Sequence, residues 1–174
     1  MSINMHAYKA IEAVVGSNYI TDDPVDCEGY RSGPGGYESG TGYERVMTKI
    51  AGAVVMPRTT EDVQKIVKIC RRYKLPFVPY STGFYGPRSH PHVEHELIID
   101  MKRMRDFSID PKHFSITVQP GVIYSQIQQI CFENGAYVVI GGGGAQTSAV
   151  ANLLNDGWSP LSFRVGLPQR RILG

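Results

Sequence analysis

The stretch that decides the fold is Ala53 to Tyr80, AVVMPRTTEDVQKIVKICRRYKLPFVPY. Its first four residues, AVVM, are an apolar run of strand length closed by Pro57. A helix follows: Thr59 or Thr60 can cap it, Glu61 and Asp62 suit its positive N-terminal end, and Arg71, Arg72 and Lys74 suit its negative C-terminal end. Val63, Ile66, Val67, Cys70 and Tyr73 recur at spacings of three and four, which predicts one buried face with Cys70 in the core. Pro76 stops the helix, and Phe77 to Tyr80, FVPY, reads as the next strand. After a loop, Leu97 to Asp100, LIID, supplies a third strand, so the region is a β-α-β unit plus a strand.

On the N-terminal side, Ala7 to Val15 predicts a short amphipathic helix ended by Gly16. Gly29 to Tyr43 then holds six glycines and three tyrosines in fifteen residues without a hydrophobic period, and reads as a loop or arm. Tyrosines on such a backbone can stack on a ligand ring; a flexible connection is the simpler reading. On the C-terminal side, Ser115 to Gln119 alternates like a half-buried strand and Pro120-Gly121 turns the chain. Ile123, Ile127, Ile130 and Cys131 have helical period up to a left-handed stop at Asn134-Gly135. Tyr137 to Ile140, YVVI, predicts a second buried strand, which runs into Gly141 to Gly144 and then TSAVANLLNDG.

The composition narrows the function classes. Among 174 residues, 18 Lys and Arg stand against 16 Asp and Glu, a net charge of +2 that is too small for a protein held to phosphate backbones by bulk electrostatics. No nucleic-acid partner is expected. No run approaches the roughly 20 apolar residues of a membrane span, and the first residues lack the basic and apolar regions of a secretion signal. Cys27, Cys70 and Cys131 lie far apart with no CxxC pair, against both a disulfide framework and a zinc site. A cytoplasmic location fits these features.

Two segments break the regular pattern where an apolar strand ends. Pro79 to Gly86, PYSTGFYG, has Gly83 and Gly86 for close backbone approach and Ser81 and Thr82 for hydroxyl donors, a combination suited to an anionic phosphate. In Gly141 to Gly157, Thr147 or Ser148 can open a short helix whose N–H groups again face an anion. GxxxxGK[ST], a correctly placed GxGxxG, GxSxG and HExxH are all absent. His90, His92 and His95 with Glu94 or Glu96 have the chemistry of zinc ligands, but Pro91 prevents a helix there and an exposed His-rich loop is the simpler reading, so no metal is expected.

Five pieces stand in order: the helix start at Pro57 to Val63, the STG loop, the DMKRM strand end at Asp100 to Met104, the VQPGV turn at Val118 to Val122, and the small-residue segment before Asn152. Together they resemble the PCMH-type FAD-binding domain of the vanillyl-alcohol oxidase and p-cresol methylhydroxylase flavoproteins. The similarity covers roughly Val46 to Gly174. It implies an α+β fold with the first FAD-binding subdomain complete and the second partial: residues 1–45 a helix and Gly/Tyr-rich arm, 46–107 subdomain 1, and 108–174 the start of subdomain 2. FAD is the implied cofactor. The implied contacts are Ser81, Thr82, Gly83, Phe84, Tyr85 and Gly86 at the pyrophosphate, and Gly144, Thr147, Ser148, Ala151, Asn152, Asp156 and Gly157 alongside the rest of the flavin. Phe84 stands where some relatives carry a tethering histidine, so no covalent bond to the flavin is expected. The implied activity is that of an FAD-dependent oxidoreductase passing a hydride from an alcohol or para-alkylphenol-type small-molecule substrate to flavin N5. The remaining strands and the substrate cap would come from a second polypeptide or a missing C-terminal region in a heteromeric complex. The alternative is a non-catalytic flavin-binding or scaffolding subunit of a larger redox complex.

Overall fold

The computed structural model describes residues 2–31, 49–83, 90–141, 144–154 and 159–173. The chain divides into two compact units, Met1–Arg103 and Met104–Gly174.

In the first unit, α1 (Met5–Val15) starts where the Asn4 side chain accepts the N–H groups of His6 and Ala7, and stops at Gly16, whose φ of 87° suits a residue without Cβ. Strand β1 (Ile20–Thr21) and α2 (Pro24–Glu28) follow, the latter capped by Asp23 with Pro24 in its first turn. Then come β2 (Ala53–Val55), α3 (Thr60–Tyr73), β3 (Phe77–Tyr80) and β4 (Leu97–Asp100). The sheet order is β1-β2-β4-β3, with β2, β4 and β3 parallel and β1 antiparallel to β2. Val54, Ile98 and Val78 align across it.

Helix α3 carries a reciprocal cap: Asp62 N–H donates to Thr59 Oγ1 at 3.1 Å and Thr59 N–H donates to Asp62 Oδ2 at 3.2 Å. Its buried stripe is narrower than the spacing predicted. Ile66 and Cys70 are fully covered, whereas Val67, turned about 100° away from Ile66 on a 3.6-residue helix, is 37% exposed.

Strand alternation sorts the core into two layers. Ala53, Val55, Leu97 and Ile99 pack with Ala7 and Ile11 of α1 and Ile66 and Cys70 of α3. Val54 and Ile98 turn to the other face, where Cys27 of α2, Ala51, Tyr30, Val78 and Tyr80 cover them. Burial on both faces is why β2 and β4 read as continuous apolar runs.

In the second unit, β5 (Phe107–Asp110) and β6 (Ser115–Val118) form an antiparallel hairpin in which Ile109 faces Ile116. Helix α4 (Tyr124–Glu133), α5 (Ala149–Leu154) and α6 (Ser162–Val165) follow. Val122, Tyr124, Ile127 and Ala149 form the core, with Phe107, Ile116, Val118, Val138 and Ile140 against it. The expected strand at Tyr137 to Ile140 does not form: Val138 and Ile140 pack on the core, Tyr137 is exposed, and the segment has no ladder partner among the described residues. An apolar run specifies burial; a strand also needs a neighbour to hydrogen-bond.

Candidate functional site

In the first unit, the three parallel strands end on one side at Val55, Tyr80 and Asp100, the end of a parallel sheet at which open α/β folds place ligands. Ser81, Thr82 and Gly83 continue directly from β3; Ser81 is buried and the other two are half-buried. Gly83 has φ +65°, and a Cβ there would collide with the Tyr80 hydroxyl end.

Beside this turn lies a polar cluster that the sequence did not reveal. Asp100 is 0% exposed. Its carboxylate accepts the Tyr30 hydroxyl at 2.6 Å, the Lys102 backbone N–H at 2.9 Å and the Lys102 ammonium at 3.0 Å. The Tyr30 ring meets the Tyr80 ring edge-on at 4.9 Å, and Lys102 Nζ lies 5.1 Å and 5.4 Å from the two ring centres. His90, buried, also meets the Tyr80 ring edge-on at 5.8 Å. Burial, then the bond to Asp100, pushes the Tyr30 phenol far up, and burial raises Tyr80, so both keep their protons at neutral pH. Tyr30 thus meets Tyr80 edge-on within the chain itself, while residues 32–43 of the Gly/Tyr-rich arm lie outside the described residues. The available signal was an acidic residue closing an apolar strand, LIID, which has no solvent to turn to.

In the second unit, Gly144, Thr147, Ser148, Ala151 and Asn152 are tied into their own segment by hydrogen bonds. Thr147 Oγ1 donates to Gly144 O at 2.8 Å; Ser148 Oγ donates to Pro120 O at 2.7 Å and accepts Ala151 N–H at 3.2 Å. Tyr124 donates its hydroxyl to Asn152 Oδ1 at 3.4 Å, and that buried amide fills the space where Gly141 would carry a Cβ. Tyr124 N–H to Thr147 O and Ser125 N–H to Ala145 O tie the segment to the start of α4. Gly144 has φ +85°, a conformation in which a side chain would be strained. Phe84, Tyr85, Gly86, Asp156 and Gly157 lie outside the described residues. His92 and His95 are exposed and His90 is buried; among the described residues no three His, Cys, Asp or Glu side chains come together as a metal site.

The FAD binding domain family matches residues 51–174. The 4-cresol dehydrogenase (hydroxylating) flavoprotein subunit of Pseudomonas putida is 32% identical over 108 residues, covering 56% of this chain and 20% of that subunit. Glycolate oxidase subunit GlcD of Bacillus subtilis is 25% identical over 124 residues, covering 70% of this chain and 26% of that protein. Among solved structures, p-cresol methylhydroxylase with substrate bound superposes with a TM-score of 0.70 at 24% identity, over 88% of this chain and 29% of that one. Alkyldihydroxyacetonephosphate synthase gives 0.81 at 14% identity, over 96% of this chain and 32% of that one. The shared fold is the α+β PCMH-type fold, and the chain spans a third or less of each of these relatives.

Proposed function

Because the chain belongs to the FAD binding domain family and FAD is its cofactor, we propose that it is the FAD-holding part of a flavin-dependent oxidoreductase acting on an alcohol or para-alkylphenol. The observation that carries this reading is the Ser81–Gly83 turn: it leaves the carboxyl end of the parallel sheet, inside the matched region, with Gly83 at φ +65°. A turn of this kind fits a group with an anionic diphosphate, because its short residues let backbone N–H groups approach oxygen atoms closely.

In this reading Ser81, Thr82 and Gly83, continued by Phe84, Tyr85 and Gly86, hold the diphosphate. Gly144, Thr147, Ser148, Ala151, Asn152, Asp156 and Gly157 shape the wall beside the remainder of the cofactor, with the buried side chains of Thr147, Ser148 and Asn152 fixing the backbone that faces it. When bound, FAD supplies a hydride acceptor at N5, and the protein supplies its position and electrostatics. The para-alkylphenol assignment draws support from the cresol dehydrogenase subunit among the relatives. A further polypeptide or chain segment completes the second subdomain and the substrate cap. Large apolar side chains left open to solvent, Leu154, Phe163 and Leu173 at 75%, 95% and 89% exposure, favour such a cover.

The test is the visible spectrum of the native assembly, followed by anaerobic addition of 4-cresol, glycolate or D-lactate. Yellow material bleached by 4-cresol is expected. Colourless material that binds no added FAD would refute the cofactor assignment, and bleaching by a hydroxy acid alone would refute the phenol.

A further inference from the structure

Asp100 is a fully buried carboxylate at the mouth of a site assigned to an anionic ligand, a placement that is unfavourable unless its charge and lone pairs are met inside the protein. They are met by two residues: Lys102, through its ammonium and its backbone N–H, and Tyr30, through its hydroxyl. Tyr30 lies 70 positions away in sequence, just after α2, and outside residues 51–174 that match the family. Its contribution is therefore not a property of the matched segment alone.

The consequences run toward the turn. With its hydroxyl fixed on Asp100, the Tyr30 ring is set edge-on to Tyr80, and the Lys102 ammonium shares the faces of both rings. The His90 ring also meets Tyr80 edge-on. Tyr80 is the last residue of β3, and its hydroxyl end occupies the place of a Cβ on Gly83, the third residue of the turn.

We propose that Tyr30 is a positioning residue of the FAD site: through Asp100, Lys102 and Tyr80 it holds the Ser81–Gly83 turn in the conformation that receives the diphosphate. This rests on the FAD-binding reading above. The N-terminal segment is then part of the cofactor site without touching the cofactor, and loss of one hydroxyl loosens a turn in a different part of the sequence.

The experiment uses the full chain without FAD, comparing wild type with Tyr30→Phe and Asp100→Asn. Amide order parameters from NMR relaxation are read at Ser81, Thr82 and Gly83, with Ile66 and Cys70 of α3 as internal reference; FAD affinity is read separately by flavin fluorescence. In the wild type the turn should give values of about 0.85, falling toward about 0.6 in Tyr30→Phe, while α3 is unchanged and the FAD dissociation constant rises about tenfold. Asp100→Asn keeps an acceptor for the Tyr30 hydroxyl, so its turn should loosen less. Unchanged order at Ser81–Gly83 in Tyr30→Phe would overturn the proposal, as would equal loosening of the turn and α3, which marks general destabilisation. If Tyr30→Phe does not fold, Asp100→Asn decides: loosening confined to the turn, with α3 ordered as in the wild type, supports the proposal, and a turn ordered as in the wild type, or loosened together with α3, overturns it. Failure of the wild type to bind FAD counts against the function reading alone, because the order parameters are measured without cofactor.

Discussion

Gly83 has two independent reasons to lack a side chain: φ of +65°, which L residues rarely adopt, and the Tyr80 hydroxyl end occupying the place of a Cβ. Gly83→Val should therefore introduce strain of about 1–3 kcal/mol at the turn and lower the flavin absorbance per mole of protein; full flavin content with an unchanged spectrum would contradict the phosphate-turn assignment. The need for a glycine was legible in STG, but the second of these causes was not, since the Tyr80 ring is held by Tyr30 and Asp100, which meet only after folding. His90 gives a second residue-scale expectation. Burial, and then the nearby charge of His92, lowers its pKa below the ordinary 6.5. As pH falls through about 6.5, the unfolded chain takes up a proton that the folded chain still excludes, so stability declines until the lowered folded value is passed. Melting temperature against pH should fall less steeply below 6.5 in His90→Phe, which keeps a ring against Tyr80; parallel curves would show that His90 carries none of the dependence.

The helix α3 shows how far local chemistry goes. Its start, its acidic first turn and its basic last turn were all legible in TTED…CRRY because each acts within one turn of chain. Thr59→Ala removes the acceptor for Asp62 N–H and should lower unfolding free energy by about 1 kcal/mol, read from denaturant midpoints at constant slope; a change within error would mean that solvent or Asp62 replaces the cap. Elements defined by partners were less legible. Strand β1 is two residues long and carries no period, yet it pairs with β2. Tyr137 to Ile140 has the apolar character of a strand but no described partner, so its backbone stays outside any ladder. In the candidate site the same division holds: glycines and small hydroxyl residues stand out in sequence, whereas the occupation of Ser148 and Asn152 by internal hydrogen bonds depends on where Pro120 and Tyr124 come to lie.

At the scale of the molecule, the exposed apolar side chains near the C-terminal end set the expected behaviour in solution. Covering Leu154, Phe163 and Leu173 is favourable by about 25 cal/mol per Å², so the chain by itself should scatter light as species heavier than 19.3 kDa. Phe163→Ser with Leu173→Ser should move it toward that mass, and a wild type already monomeric at all concentrations would show that these side chains need no cover. The three cysteines behave in the opposite way. Cys27, Cys70 and Cys131 are buried, with burial pushing the first two thiols up to about 11 and the third upward as well, so little thiolate is present at neutral pH and none is accessible. The folded chain is thus a naturally silent background for thiol-directed probes, and a single Phe163→Cys replacement would carry a fluorophore or spin label at one known point without first removing any native sulfur.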